Sequence, residues 1–293
     1  MSMLAEKTKK AINTFLGAAG LELRRTAPKS SPPPLYDEPV EAISRIRSGE
    51  RAAILARIDR CVTFNGFSLA PNGWHPFVDA LRETITTGQS DYLGSRLERF
   101  YATWQPANAQ EALLGASSGP NWLASYPPLL MHAPWLEATP DEQLASIRRI
   151  IELENASFGL MDTKHDGGHG LLGPTSVAKG ELEYRRLLNV FRSIESHGYD
   201  RNHGDITGQV LVRNGDYRFR IVHGQHRVAA VAALGYEHIA LHPKRLVDRK
   251  YCQHWPQVYA GRWSADEAAA FFDHLFCFDS LEWAGRQSLG PDV

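Results

Sequence analysis

The stretch GQVLVRNGDYRFRIVHGQHRVAAVAALGYEHIAL, residues 208–241, decides how this chain can fold. Asn214-Gly215 suits a tight primed turn, and Tyr217, Phe219 and Ile221 alternate with Arg218, Arg220 and Val222. Two antiparallel strands are therefore expected. A short alanine-rich helix from about Gln225 to Leu234 follows, Gly235 ends it, and HIALHP reads as another strand. At the strand–helix junction stands His223-Gly224-Gln225-His226-Arg227. A helix start turns unpaired backbone N–H groups outward, so this junction can cradle an anion. An ordinary strand-to-helix turn is the plainer alternative.

Working outward, EYRRLLNVFRSIESHG places Tyr184, Leu187, Leu188, Phe191 and Ile194 at helical spacing, with Gly198 as the stop. Before it, a glycine-rich loop, MDTKHDGGHG, runs into GPTSVAKGELEYRR. Further upstream, TPDEQLASIRRIIELENASFG opens with Thr139, Pro140 and Glu142, a capping box with proline in the first turn. These patterns divide the chain into a basic amphipathic helix (1–26), a proline-rich linker (27–39) and a mainly helical N-terminal region (40–138). A mixed strand–helix domain (139–245) and a C-terminal helical extension (246–293) follow. EPVEAISRIRSGERAAILARIDRCV reads as helical. Trp74, Phe77, Phe100, Tyr101 and Trp104 read as packing, and His75 lies in a turn signal, GWHP. The expected fold class is α+β.

Composition narrows the functional classes. Among 293 residues, 32 Lys and Arg nearly cancel 33 Asp and Glu, which argues against a wholesale nucleic-acid coat. Cys61, Cys252 and Cys277 lack CxxC spacing and read as reduced thiols of a cytoplasmic protein. No apolar run is long enough to span a membrane, and the first residues lack a secretory pattern. Residues 1–25 do have the character of a segment that lies weakly on a membrane surface or a partner. The expected location is cytoplasmic, with peripheral attachment at the inner face of the membrane as the variant.

The order helix with SIESHGYD, strand, Asn-Gly turn, strand, GQHR helix, LGY, strand resembles the ParB/sulfiredoxin fold over about residues 171–245. Three branches of that fold can be compared. Sulfiredoxins carry a nucleophilic cysteine in the tetrad where this chain has Gln225, and an amide cannot replace a thiolate. Chromosome-partitioning ParB proteins bind nucleotide phosphates with the corresponding element, but residues 246–293 give no recognition helix for DNA. The tetrad is nearest to that of small-metabolite kinases of the fold, such as free-serine kinases, with His223 standing where their aspartate would be. The chain as a whole also resembles proteins encoded with bacterial surface-polysaccharide genes.

The resemblance implies a phosphate site. Gly224 would let the backbone approach an anion, the amides of Gln225 and His226 would point at it, and Arg227 would supply a planar fork. His223 stands beside them, and His226 could donate to an oxygen or titrate near neutrality. A second wall would hold Ser176 and Lys179 against phosphate. There Glu181 or Glu183 would serve as general base, Glu181 being preferred, with Arg185 and Arg186 as further cations. Glu181, His226 and Arg227 are thus the expected catalytic set. His165, Asp166 and His169 match no strong zinc spacing and read as part of a lid, so no protein metal site is expected. Magnesium would arrive with a nucleotide. The expected function is nucleotide or phosphate binding, with phosphoryl transfer to a small metabolite or glycan precursor. The alternatives are a non-catalytic scaffold module in polysaccharide assembly and, less favoured, a DNA-binding protein.

Overall fold

Asn214 and Gly215 both take positive φ (51° and 84°), the conformation a primed hairpin turn requires. The computed structural model describes residues 31–113, 119–160, 170–172 and 175–290, and Pro33–Val293 forms one compact unit. The hairpin strands are β4 (Ile206–Arg213) and β5 (Asp216–His223). They join β1 (Leu35–Tyr36), β2 (Ala53–Arg57), β3 (Cys61–Val62) and β6 (His238–Asp248) in one sheet of order β1-β2-β6-β4-β5-β3. The sheet is mixed: β4 is antiparallel to β5 but parallel to β6, and both outer pairs, β1–β2 and β3–β5, are parallel.

Along β4 the side chains divide between the two faces as a strand's period of two requires. Ile206 and Val210 face one core together with Phe219, Ile221, Ile239, Leu241 and Ile54. That face is covered by α2 (Pro76–Thr87), α5 (Val177–His197) and α6 (Gln225–Ala233). Leu211 and Val247 face a second core with Trp135, Trp255, Trp263, Phe271 and Phe272. α4 (Pro140–Ser157) and α7 (Ala265–Cys277) supply apolar residues there, and α1 (Pro39–Arg47), α3 (Arg96–Thr103) and α8 (Ser280–Arg286) complete the labelled helices. The fold is α+β. No helix among the described residues is long and apolar enough to cross a membrane.

The region read as mainly helical differs from expectation. EAISRIR is helical, but Gly49 (φ 84°) closes that helix, and AILAR becomes β2 between β1 and β6. Ala53, Ile54 and Ala56 are fully buried, so this inner strand shows an unbroken apolar run without the alternation of a half-exposed strand. β2 and β3 thereby tie residues 40–138 into the same sheet as the hairpin. The extension read from residue 246 begins inside β6 and supplies α7 to the second core. The basic helix 1–26 and the loop carrying His165, Asp166 and His169 lie outside the described residues.

Candidate functional site

Gly224 takes φ 91°, and a Cβ there would stand 3.1 Å from Ile206 Cγ1 and 3.4 Å from Arg227 Nη2. Glycine is thus required both by the turn from β5 into α6 and by the close approach of Ile206. No side chain caps α6, and its first bond to the junction runs from Val228 N to Gly224 O (2.9 Å). The amides of Gln225, His226 and Arg227 consequently have no acceptor among the described residues. Gln225 turns back, its Nε2 donating to Ile221 O (3.1 Å) and leaving Oε1 buried without a partner there. Arg227 donates to the Gly204 carbonyl while its guanidinium lies beside Gly224. Outward amides, a positive helix end and a guanidinium meet at one place, a combination suited to an oxyanion.

The imidazole of His226 turns the other way. Its Nε2 lies 3.0 Å from Glu183 Oε2, and its ring packs on Phe77 with centroids 5.1 Å apart. Glu183 is only 2 % exposed and also meets Lys179 Nζ (3.1 Å) and Arg186 Nη1 (3.0 Å). Burial alone would raise the Glu183 carboxyl, but His226, Lys179 and Arg186 outweigh it and hold it far below the usual carboxylate range. Glu154 extends the network by pairing with both Lys179 (3.3 Å) and Arg186.

His75 closes the back of this region. It caps α2, its Nδ1 accepting from Phe77 N (3.1 Å), so a neutral ring must carry its proton on Nε2. That Nε2 is buried without a partner among the described residues. Burial, reinforced by the nearby His226, pushes the His75 ring down to about 3.

No family model matches the chain, and neither a curated protein nor a solved structure matches it.

The residues expected from the sequence are distributed over three places. Gly224, Gln225 and Arg227 form the helix start, and His223 is exposed at the end of β5. Lys179 is 6 % exposed and uses its ammonium on Glu154, Glu183 and Asn155 Oδ1 (3.1 Å), so it is a tie between α4 and α5. Ser176 caps α5, its Oγ accepting from Lys179 N (3.3 Å). Glu181 is exposed and lines a cleft with Asp91, Tyr92, Arg185 and Arg192, away from His226. Glu183, the alternative base, is the glutamate in contact with His226, and Arg186 joins it. The helical period separates the two glutamates: residues 179, 183 and 186 share one face of α5, while 181 and 185 lie off it. That spacing was available in the sequence as a three-charge stripe. The approach of His75 was not, because it depends on how α2 packs against α6.

Proposed function

We propose that the protein binds the phosphate of a nucleotide or phosphorylated small molecule at the start of α6 and transfers a phosphoryl group to a hydroxyl. The observation that carries this reading is the convergence at Gly224 of amides with no acceptor among the described residues, the Arg227 guanidinium and, two residues along, a histidine backed by a buried glutamate. The β4–β5–α6–β6 succession within a mixed sheet supports assigning the ParB/sulfiredoxin-like fold.

In this reading Arg227 and the amides of Gln225 and His226 hold the phosphates and spread their negative charge. His226 takes the proton of the acceptor hydroxyl at the ring nitrogen not engaged by Glu183. The acceptor oxygen bonds to the terminal phosphorus, the bridging P–O bond breaks, and a nucleoside diphosphate leaves with the bond's electron pair. Glu183 stabilises the imidazolium once it forms and is itself too weakly basic for that proton, being held ionised by the hydrogen bond from His226 and by Lys179 and Arg186. The base role is thus assigned to His226 instead of the exposed Glu181. Magnesium would come with the nucleotide, bound to its phosphates, and no group of three or more His, Cys, Asp or Glu among the described residues could hold a metal by itself.

Titration calorimetry with ADP and ATP, combined with transfer assays on a panel of sugars and hydroxyl amino acids, tests the reading. Arg227→Ala should weaken nucleotide at least about tenfold, and His226→Gln should keep binding while losing transfer. Nucleotide affinity unchanged by Arg227→Ala would sink the site assignment.

The mutual saturation of Lys179, Glu183, Arg186 and Glu154 favours a second reading, a ligand-binding scaffold module without turnover, as in polysaccharide assembly. Nucleotide binding sensitive to Arg227→Ala, with no transfer to any acceptor, selects it.

A further inference from the structure

On the sheet face opposite α6, Arg220 is the exception among the arginines of the three central strands. Arg213 pairs with Asp273 (3.3 Å), Arg218 with Asp216 (3.8 Å) and Arg245 with Glu137 (2.8 Å). Arg220 is the most buried of the four, 8 % exposed, and no carboxylate among the described residues pairs with it. Its one hydrogen bond among them runs from Nε to Gln209 Oε1 (3.1 Å). A guanidinium carries five N–H donors, so four are left over. Desolvation lowers the group only to about 10, so it remains a cation at neutral pH.

The groups around it are also donors in excess. Gln209 Oε1 accepts a second bond, from Trp135 Nε1 (2.9 Å). Two donors on that atom fix the amide orientation, and the Gln209 Nε2 is left without an acceptor among the described residues. Gln209 stands opposite Arg220 on β5 and opposite Arg245 on β6. Two residues earlier on β4, hence on the same face, Thr207 Oγ1 is buried with no partner among the described residues. The guanidinium lies over the Phe64 ring, 5.3 Å from its centroid. An arginine retained for structure alone would normally bring its counter-charge with it, as its three neighbours do.

We infer that Arg220, Gln209 and Thr207 form a binding site for the carboxylate of a small organic monoanion, on the sheet face away from α6. One planar fork beside a carboxamide NH₂ matches the two oxygens of a carboxylate. Charge sets the valence: Arg245 is already neutralised by Glu137, so one positive charge remains, and a dianionic phosphate would bury a second negative charge unpaired. The aromatic ring of Phe64 suits an apolar body attached to that carboxylate. The site is independent of the phosphate site proposed at the start of α6.

The test is calorimetry of the full chain with sodium benzoate, sodium acetate and inorganic phosphate at fixed ionic strength. Benzoate should bind saturably and more tightly than acetate, and phosphate should not compete. Arg220→Met should abolish benzoate binding with an unchanged near-ultraviolet CD spectrum and an equal or higher melting temperature. Should Arg220→Met fail to fold, Arg220→Lys keeps the charge without the fork and should weaken benzoate at least tenfold. Arg227→Ala should leave benzoate affinity unaltered, which separates this site from the one at α6. Absence of saturable carboxylate binding, binding undiminished in both Arg220 variants, or displacement by phosphate would each overturn the assignment.

Discussion

His75 illustrates how a single residue ties acid sensitivity to the fold. Its ring is neutral in the folded chain down to about pH 3, whereas in the unfolded chain it takes up a proton near pH 6.5. Its folded value is depressed, so the unfolded state binds more protons through that window, and stability falls as pH drops from about 6.5 toward 3. The buried His132 and the partly buried His274 are lowered in the same direction by desolvation and add to the slope. His75→Asn keeps a side chain able to cap α2 but removes one titrating ring. The urea midpoint of this variant should fall less between pH 7 and pH 5 than that of the wild type. Equal slopes would show that His75 is not a neutral buried group in the folded chain. In the sequence His75 is legible only as part of a turn. Its burial against Phe77 and its nearness to His226 join segments some 150 residues apart, and no local pattern encodes that.

Among the elements, legibility follows exposure. The β4–β5 hairpin is readable because each strand shows alternation and the turn demands Asn-Gly; α4 and α7 are readable because Thr139 with Glu142 and Ser264 with Glu267 form capping boxes. β2 hides because both its faces are covered, and β1 and β3 hide because two residues carry no period. Gly180 shows the same limit from another side. A glycine in the first turns of α5 should weaken that helix, yet the Tyr92 ring occupies the space a Cβ would need. Gly180→Ala should therefore destabilise the protein by more than about 1 kcal/mol, although alanine is the better helix former. Paired with Tyr92→Ala, the same substitution should become nearly neutral. Urea denaturation of the two variants and the double mutant decides this.

At the scale of the whole molecule, the separate regions suggested by composition merge. Strands from residues 35–62 join the sheet of the central hairpin, β2 beside β6 and β3 beside β5, and the second core closes only when Phe271 and Phe272 of α7 and Trp255 meet Leu211 and Val247. A chain ending at residue 245 would strip that face of its cover. It should lose near-ultraviolet CD signal and bind a dye for exposed apolar surface, while the complete chain unfolds in one transition by fluorescence and far-ultraviolet CD. A well-packed truncated protein would mean that the C-terminal segment is an accessory. The proposed phosphate site has a split origin for the same reason: the tetrad is local and readable, but its glutamate comes from α5 and its histidine neighbour from α2.

Among the described residues the sheet ends at both sides in strands of two residues, β1 and β3, each laid parallel to its neighbour. A strand from another molecule laid against either stub would find almost no ladder to extend, since a stub of that length offers too few backbone groups for a stable register. Short guards at both margins interrupt the outer edges of β2 and β5, which disfavours a continuous edge-to-edge ladder between copies. A protein of this design can keep an apolar sheet interior while tolerating a high local concentration of its own copies.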